Sequence, residues 1–436
     1  MCERIKSVVL LALVLLSFYL TGALLFGQPY LETASSPDYE QVETFGRIRP
    51  QAEQVYPVLR LKTEENWLQL FPWTERYLPV WKTLQFLLDP SQLPESGEKP
   101  EFSSKQVEIQ FPVAVEAKLW FHDSLAADLQ IRKVCWFAED AESIWYCDEG
   151  GKWWRAKGFT APVEWETRLA ALFKKAPAYT EAGTELLAPF TAGDAVVLLP
   201  AELPAMSMYA VAAESLDTDK LLRSFFINPA LVRRIEERNG AVIYTDGQRG
   251  LRIFAHGELE ITVPENEPGT RNLSRAEILQ ETAQYLHLLG GWPEELFLQS
   301  IRANVRSITY LQQLYTQEVV FRCAARGYPL VGRKAPLSLL FSDRGIIYYN
   351  RQILSLAEPL TEPMPLVAPE TALATVAVNL GIRAAGMQLL SVEAIYFVDS
   401  TAGSPPVAQP AWLIQFQNRQ VAVVNGFTGE LITWLQ

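Results

Sequence analysis

From Ser7 to Leu31 no position carries a charge, and Val8–Phe26 is apolar almost without interruption. At ~1.5 Å rise per residue such a stretch spans ~28 Å, close to the hydrocarbon thickness of a bilayer. Arg4 and Lys6 precede it, whereas Glu32, Asp38, Glu40 and Glu43 follow. The positive-inside rule then places the N-terminus in the cytoplasm and the remainder outside. Thr21-Gly22-Ala23 offers a small-residue cleavage pattern, but apolar residues continue through Phe26 and the span exceeds a signal-peptide core. The expectation is an uncleaved anchor: residues 1–6 cytoplasmic, 7–27 a transmembrane helix, 28–55 a juxtamembrane linker. Ser17, Thr21 and Gly22 form a small-residue face with two hydroxyls, suited to packing on another membrane helix. Hydroxyls bonded to carbonyls of their own helix are the simpler account of Ser17 and Thr21 taken alone.

Beyond residue 55 the pattern changes register repeatedly. Glu64–Leu88 has helical spacing, divided by Pro72 and Pro79. Val107–Phe111 alternates as a strand, and a hairpin is expected around Asp140-Ala141-Glu142, followed by a strand holding Trp153-Trp154. Val163–Lys174 and Asp217–Phe226 read as helices. Residues 56–235 are thus expected to form an α+β unit, as one domain or two small ones. The second half contains an internal repeat. Ile243–Phe254, with Asp246-Gly247, is matched 97 residues on (343 − 246) by Leu340–Tyr349, with Asp343 and Gly345. Each copy reads as a three-stranded meander followed by a helix. The first helix is opened by Ser274 with Glu277 and the second by Pro369. The predicted architecture is α+β: an N-terminal transmembrane helix, then antiparallel sheets with packed helices in several domains. The last two, 236–335 and 336–436, are expected to be related repeats.

Composition supports sizeable cores, since 49% of the 436 residues are hydrophobic and 20% charged. A net charge of −12 without a basic run disfavours nucleic acid as a partner. Of the four cysteines, Cys2 precedes the span and three follow it, an odd number that argues against a disulfide framework. Pairing Glu139 with Ser143 would set Cys135 across from Cys147, where Cα separations of ~4.5–5.5 Å suit a bridge. Two small apolar side chains filling a hairpin is the simpler alternative. Cys323 reads as core.

Several blocks together resemble the YycH (WalH) family. They are the anchor with Ser17 and Thr21, Leu221–Pro229 leading to Tyr244-Thr245-Asp246-Gly247, and Gly290-Gly291-Trp292-Pro293. Val319–Arg322, Gly327–Leu330, Pro410-Ala411-Trp412 and Val424–Glu430 complete the set, the last two shared in kind with the sister family YycI. Residues 45–200 carry few such blocks. The resemblance implies a regulator of the WalK/WalR (YycG/YycF) two-component system, anchored in the cell membrane and concerned with cell-wall homeostasis. It further implies contacts with the sensor histidine kinase WalK and with YycI through membrane helices, carried here by Ser17, Thr21 and Gly22. No cofactor is implied.

Catalysis finds little support in the residues. His122, His256 and His287 are scattered, without metal-binding or nucleophile spacing. His287, closing a helix before Gly290-Gly291, suits the negative end of the helix dipole. The alternative function is extracytoplasmic ligand binding, of a wall fragment or peptide, on aromatic platforms such as Trp153-Trp154. A deep aromatic pocket would favour that reading.

Overall fold

The computed structural model describes residues 43–88, 94–101, 105–117, 129–191, 196–263, 272–309, 312–343, 345–399 and 406–435, with side chains except at 304–315. The expected anchor, with Ser17, Thr21 and Gly22, lies outside the described residues, as does His122. No helix among the described residues is long and apolar enough to cross a membrane. Thr44–Gln436 forms one compact unit. The architecture is α+β, with helices α1 (Tyr77–Leu87), α2 (Trp165–Leu172), α3 (Thr184–Leu187), α4 (Thr218–Phe225), α5 (Arg275–Leu288) and α6 (Pro369–Leu380).

Among the described residues a nine-stranded sheet occupies the N-terminal half. Its middle is the ladder of Val58–Lys62 on Gln106–Glu116, the latter also pairing with Gln130–Phe137. Alternation places Leu59, Ile109 and Val134 side by side in the core, all fully buried. The helix expected over Glu64–Leu88 is realised only from Tyr77. Trp67–Leu70 instead turns back at Thr63–Asn66 and pairs with Val58–Lys62. Pro79 is tolerated because it falls in the first turn of α1, where its missing N–H has no intrahelical partner to lose.

The second half builds a sheet of fifteen strands among the described residues. Here the boundary expected at 235/236 moves. Tyr209–Ala213 pairs with Leu354–Pro359 and Val407–Phe416, so the change of sheet falls between Pro200 and Tyr209. The repeat order of strands, helix and strands is present, with Asp246 and Asp343 each in the first turn of its copy. The copies are not separate bodies. Leu259–Thr262 of the first pairs with Gly345–Arg351 of the second, leaving Leu354–Pro359 to pair elsewhere, so the second meander stays open. A strand with apolar positions on its core face takes whichever edge buries them, and sequence order does not fix that choice.

Helix termini follow the local signals. Asp217 caps α4 by accepting the Lys220 amide, and Ser274 with Glu277 completes a capping box on α5. Leu279, Ala283 and Leu286 of α5 are buried, as are Leu373, Val376 and Leu380 of α6. Trp412 is fully buried and donates from its indole to the Val367 carbonyl at 3.0 Å.

Candidate functional site

A helix ends with carbonyls that have no partner inside it, and when that end is buried other elements must supply donors. At the C-terminus of α5 they come from five directions. The Tyr285 and Leu286 carbonyls accept from Leu289, and Leu286 also from Gly291 at 2.7 Å. The His287 carbonyl accepts the Phe45 amide at 2.7 Å. The Leu288 carbonyl accepts the Ser224 hydroxyl of α4 at 2.7 Å, and the Leu289 carbonyl accepts the Tyr349 hydroxyl at 2.8 Å. The carbonyls of Gly290 and Gly291 accept the Arg351 guanidinium at 3.2 and 2.7 Å. Arg351, with its side chain 1% exposed, is held from the other side by both Glu214 oxygens at 2.9 Å. Burial acts against that charge, but Tyr349 and Glu214 outweigh it and raise its pKa. A bidentate guanidinium fits such a planar set of acceptors as an ammonium cannot.

The two glycines make the hub compact. Gly290 and Gly291 have φ of +98° and +77°. A Cβ on Gly291 would lie 3.1 Å from the Phe45 Cβ and 3.2 Å from its carbonyl oxygen. The helix end therefore grips the chain where it enters the compact unit. The His287 ring donates from Nδ1 to the Phe45 carbonyl at 3.2 Å, and Lys220 sits 4.5 Å above the Phe45 ring. Farther along, Arg49 lies 5.0 Å over Trp292, and Gln51 donates to the Ala276 carbonyl at 2.8 Å. Phe45 meets the last turn of α5 and Gln51 its first, so residues 45–51 run back along the helix over roughly 16 Å. The linker expected over 28–55 is thus, from Thr44 onward, a docked strap rather than a tether.

Other sequence candidates fall elsewhere. Cys135 pairs with Trp145 and Cys147 with Lys133, two residues out of the expected register, and both thiols are free. The cause is Asp140, which accepts from the Ser143 hydroxyl at 3.1 Å, the Trp145 indole at 2.8 Å and Arg155 at 2.5 Å. That network holds Ala138–Glu142 as a wider turn than the hairpin required. Burial pushes the Cys135 thiol pKa well up and that of Cys323 up to about 12, marking both as core thiols. Trp153 packs on Cys135 and Trp145, and Lys152 covers the Trp154 ring at 4.1 Å, so neither indole is an open platform. A shallow depression of about 300 Å³ lies beside Trp136, Trp165, Glu164 and Glu166, but both its indoles are buried edge to face. Among the described residues no three His, Cys, Asp or Glu side chains are grouped to hold a metal ion.

The strap and the Arg351–Glu214 pair were not legible in the sequence. The one available signal was Gly290-Gly291 after an amphipathic helix, since consecutive glycines there announce positive φ and a close approach.

No family model matches the chain, and no curated protein matches it. Among solved structures, the crystal structure of YycH from Bacillus subtilis superposes with a TM-score of 0.63 at 12% identity, covering 87% of this chain and 98% of that one. An uncharacterized protein from Eubacterium rectale (TM-score 0.37, 12% identity, 56% of this chain and 89% of that one) shows only slight likeness. So does the YpeB C-terminal domain from Bacillus megaterium (0.30, 14%, 52% and 99%). The resemblance carried by the sequence blocks therefore extends to the tertiary structure: this chain has the fold of YycH.

Proposed function

We propose that the chain is a membrane-anchored regulator that restrains a sensor histidine kinase of the WalK type, with a YycI-type protein as co-regulator. The observation that carries this reading is the YycH fold along 87% of the chain. The sequence blocks that resemble the YycH family support it. In this reading residues 7–27 cross the cell membrane, and Ser17, Thr21 and Gly22 pack on a partner helix. The docked strap gives the mechanism a physical route. Hydrogen bonds and close contact from Phe45 onward fix the point on the body at which a pull on the chain is delivered, which a loose attachment would not. Restraint requires tighter binding to the kinase's restrained state than to its active one.

The test is kinase-dependent transcription in cells carrying wild type, Thr21→Leu/Gly22→Leu, or an unrelated membrane anchor fused to residues 32–436. Interhelical contacts of this kind are worth ~0.6–2 kcal/mol each, so the double substitution should weaken association several-fold and raise kinase output. Full restraint by the unrelated-anchor fusion would refute helix pairing. No change in kinase output on deleting the whole protein would refute the regulatory reading itself.

A further inference from the structure

Among the described residues, the strand Arg233–Glu236 forms one end of the large sheet, pairs only with Val242–Thr245 and is exposed at every position. Its orientation follows from the ladder. The Glu237 amide donates to the Ala241 carbonyl, so odd-numbered residues turn their backbone groups toward Val242–Thr245. Arg234 and Glu236 turn theirs to the open edge. Open edges are commonly blunted by charge of either sign. Here the charges have an order. The charges of Arg233-Arg234-Ile235-Glu236-Glu237 invert in sign about Ile235.

We propose that this edge pairs with the same edge of a second copy, in antiparallel register about a two-fold axis beside Ile235. A two-fold axis normal to a sheet sets some residue opposite its own copy, which leaves few registers. Centring on Arg234 sets arginine against arginine, and centring on Glu236 sets glutamate against glutamate. Centring on Ile235 sets Arg234 opposite Glu236 and Arg233 opposite Glu237, each twice. The outward amides and carbonyls of Arg234 and Glu236 then exchange hydrogen bonds with those of the second copy. Ile235, 49% exposed, becomes a non-hydrogen-bonded pair with its copy at the closest cross-strand spacing. Side chains of Arg234 and Glu236, 55% and 66% exposed and already ion-paired within the strand, close into a four-charge ring. Exposed Ile227 and Leu231, in the segment leading into the strand, add apolar surface nearby. So short a ladder buries less than the ~1,200 Å² of a standard interface, so association is weak and depends on local concentration. The proposal is independent of the regulatory reading above.

The test is oxidative cross-linking of the full-length chain carrying Ile235→Cys, with Cys2→Ser to remove the thiol outside the compact unit. The expected result is a disulfide-linked dimer at position 235, exceeding that of the exposed control Val163→Cys. Adding Arg234→Glu or Glu236→Arg sets like charges opposite each other and should lower the yield on the order of five- to tenfold. Mixing these two variants restores opposite charges at every pair and should return the yield to its original level. Cross-linking no greater than the control, or insensitive to charge reversal, would overturn the proposal. So would a loss that mixing fails to rescue, which would assign the edge to a different occupant.

Discussion

Gly291→Ala should loosen the strap, and its effect can be separated from the ordinary cost of placing a side chain at positive φ. Gly247, with φ of +91°, has nothing within 4 Å of a built Cβ, whereas at Gly291, with φ of +77°, the Cβ lies 3.1 Å from Phe45. Both substitutions incur the left-handed backbone cost, roughly 1–2 kcal/mol. Only Gly291→Ala also displaces Phe45 and its two hydrogen bonds with His287, at 2.7 and 3.2 Å. At about 1 kcal/mol for each net hydrogen bond, the excess is about 1–2 kcal/mol. Urea unfolding of both variants should show that difference. Trypsin cleavage after Arg47, whose side chain is 70% exposed but lies in the docked strap, reports the strap directly. An opening cost lowered by that amount raises the open population about 5- to 30-fold, and with it the cleavage rate. Gly247→Ala should leave cleavage at Arg47 unchanged. Equal destabilisation and equal cleavage in the two variants would refute the close approach as the reason for glycine at 291.

Two further outcomes follow from buried groups. Glu108 accepts Arg60 at 2.8 Å and Lys133 at 2.9 Å; burial alone would raise its pKa, but those two cations outweigh it and the net shift is downward. Because the folded value lies below the unfolded one of about 4.3, its contribution is full above that pH and fades as pH falls through the lowered value. Glu108→Gln should cost roughly 2–3 kcal/mol at neutral pH, less than a fully buried pair because Arg60 and Lys133 stay partly exposed. A difference from wild type that does not shrink in acid would contradict this account. Among the thiols of the described residues, half-buried Cys147 should react with a thiol reagent first, and Cys135 and Cys323 only on unfolding. A mass two hydrogens lighter in a Cys135–Cys147 peptide would contradict the free-thiol pairing.

Local chemistry wrote much of this protein into its sequence. The caps Asp217 and Ser274, Pro369 as the first residue of α6, the buried faces of α5 and α6, and the turns at Asp246 and Asp343 depend on residues a few positions apart. Spacing and side-chain type therefore determine them. The register of Cys135 was not legible, because the carboxylate that widens the turn is held in part by Arg155, from the next strand. Nor was Trp67–Leu70, whose apolar spacing suits helix or strand until the neighbouring ladder chooses. The merged repeats and the strap hub belong to the same class. Arg351 meets Glu214 across 137 residues and Phe45 meets His287 across 242. Such partners have no sequence periodicity to reveal them. They are selected by which carbonyls a helix end leaves open, and only the packed tertiary structure decides which side chains lie within reach.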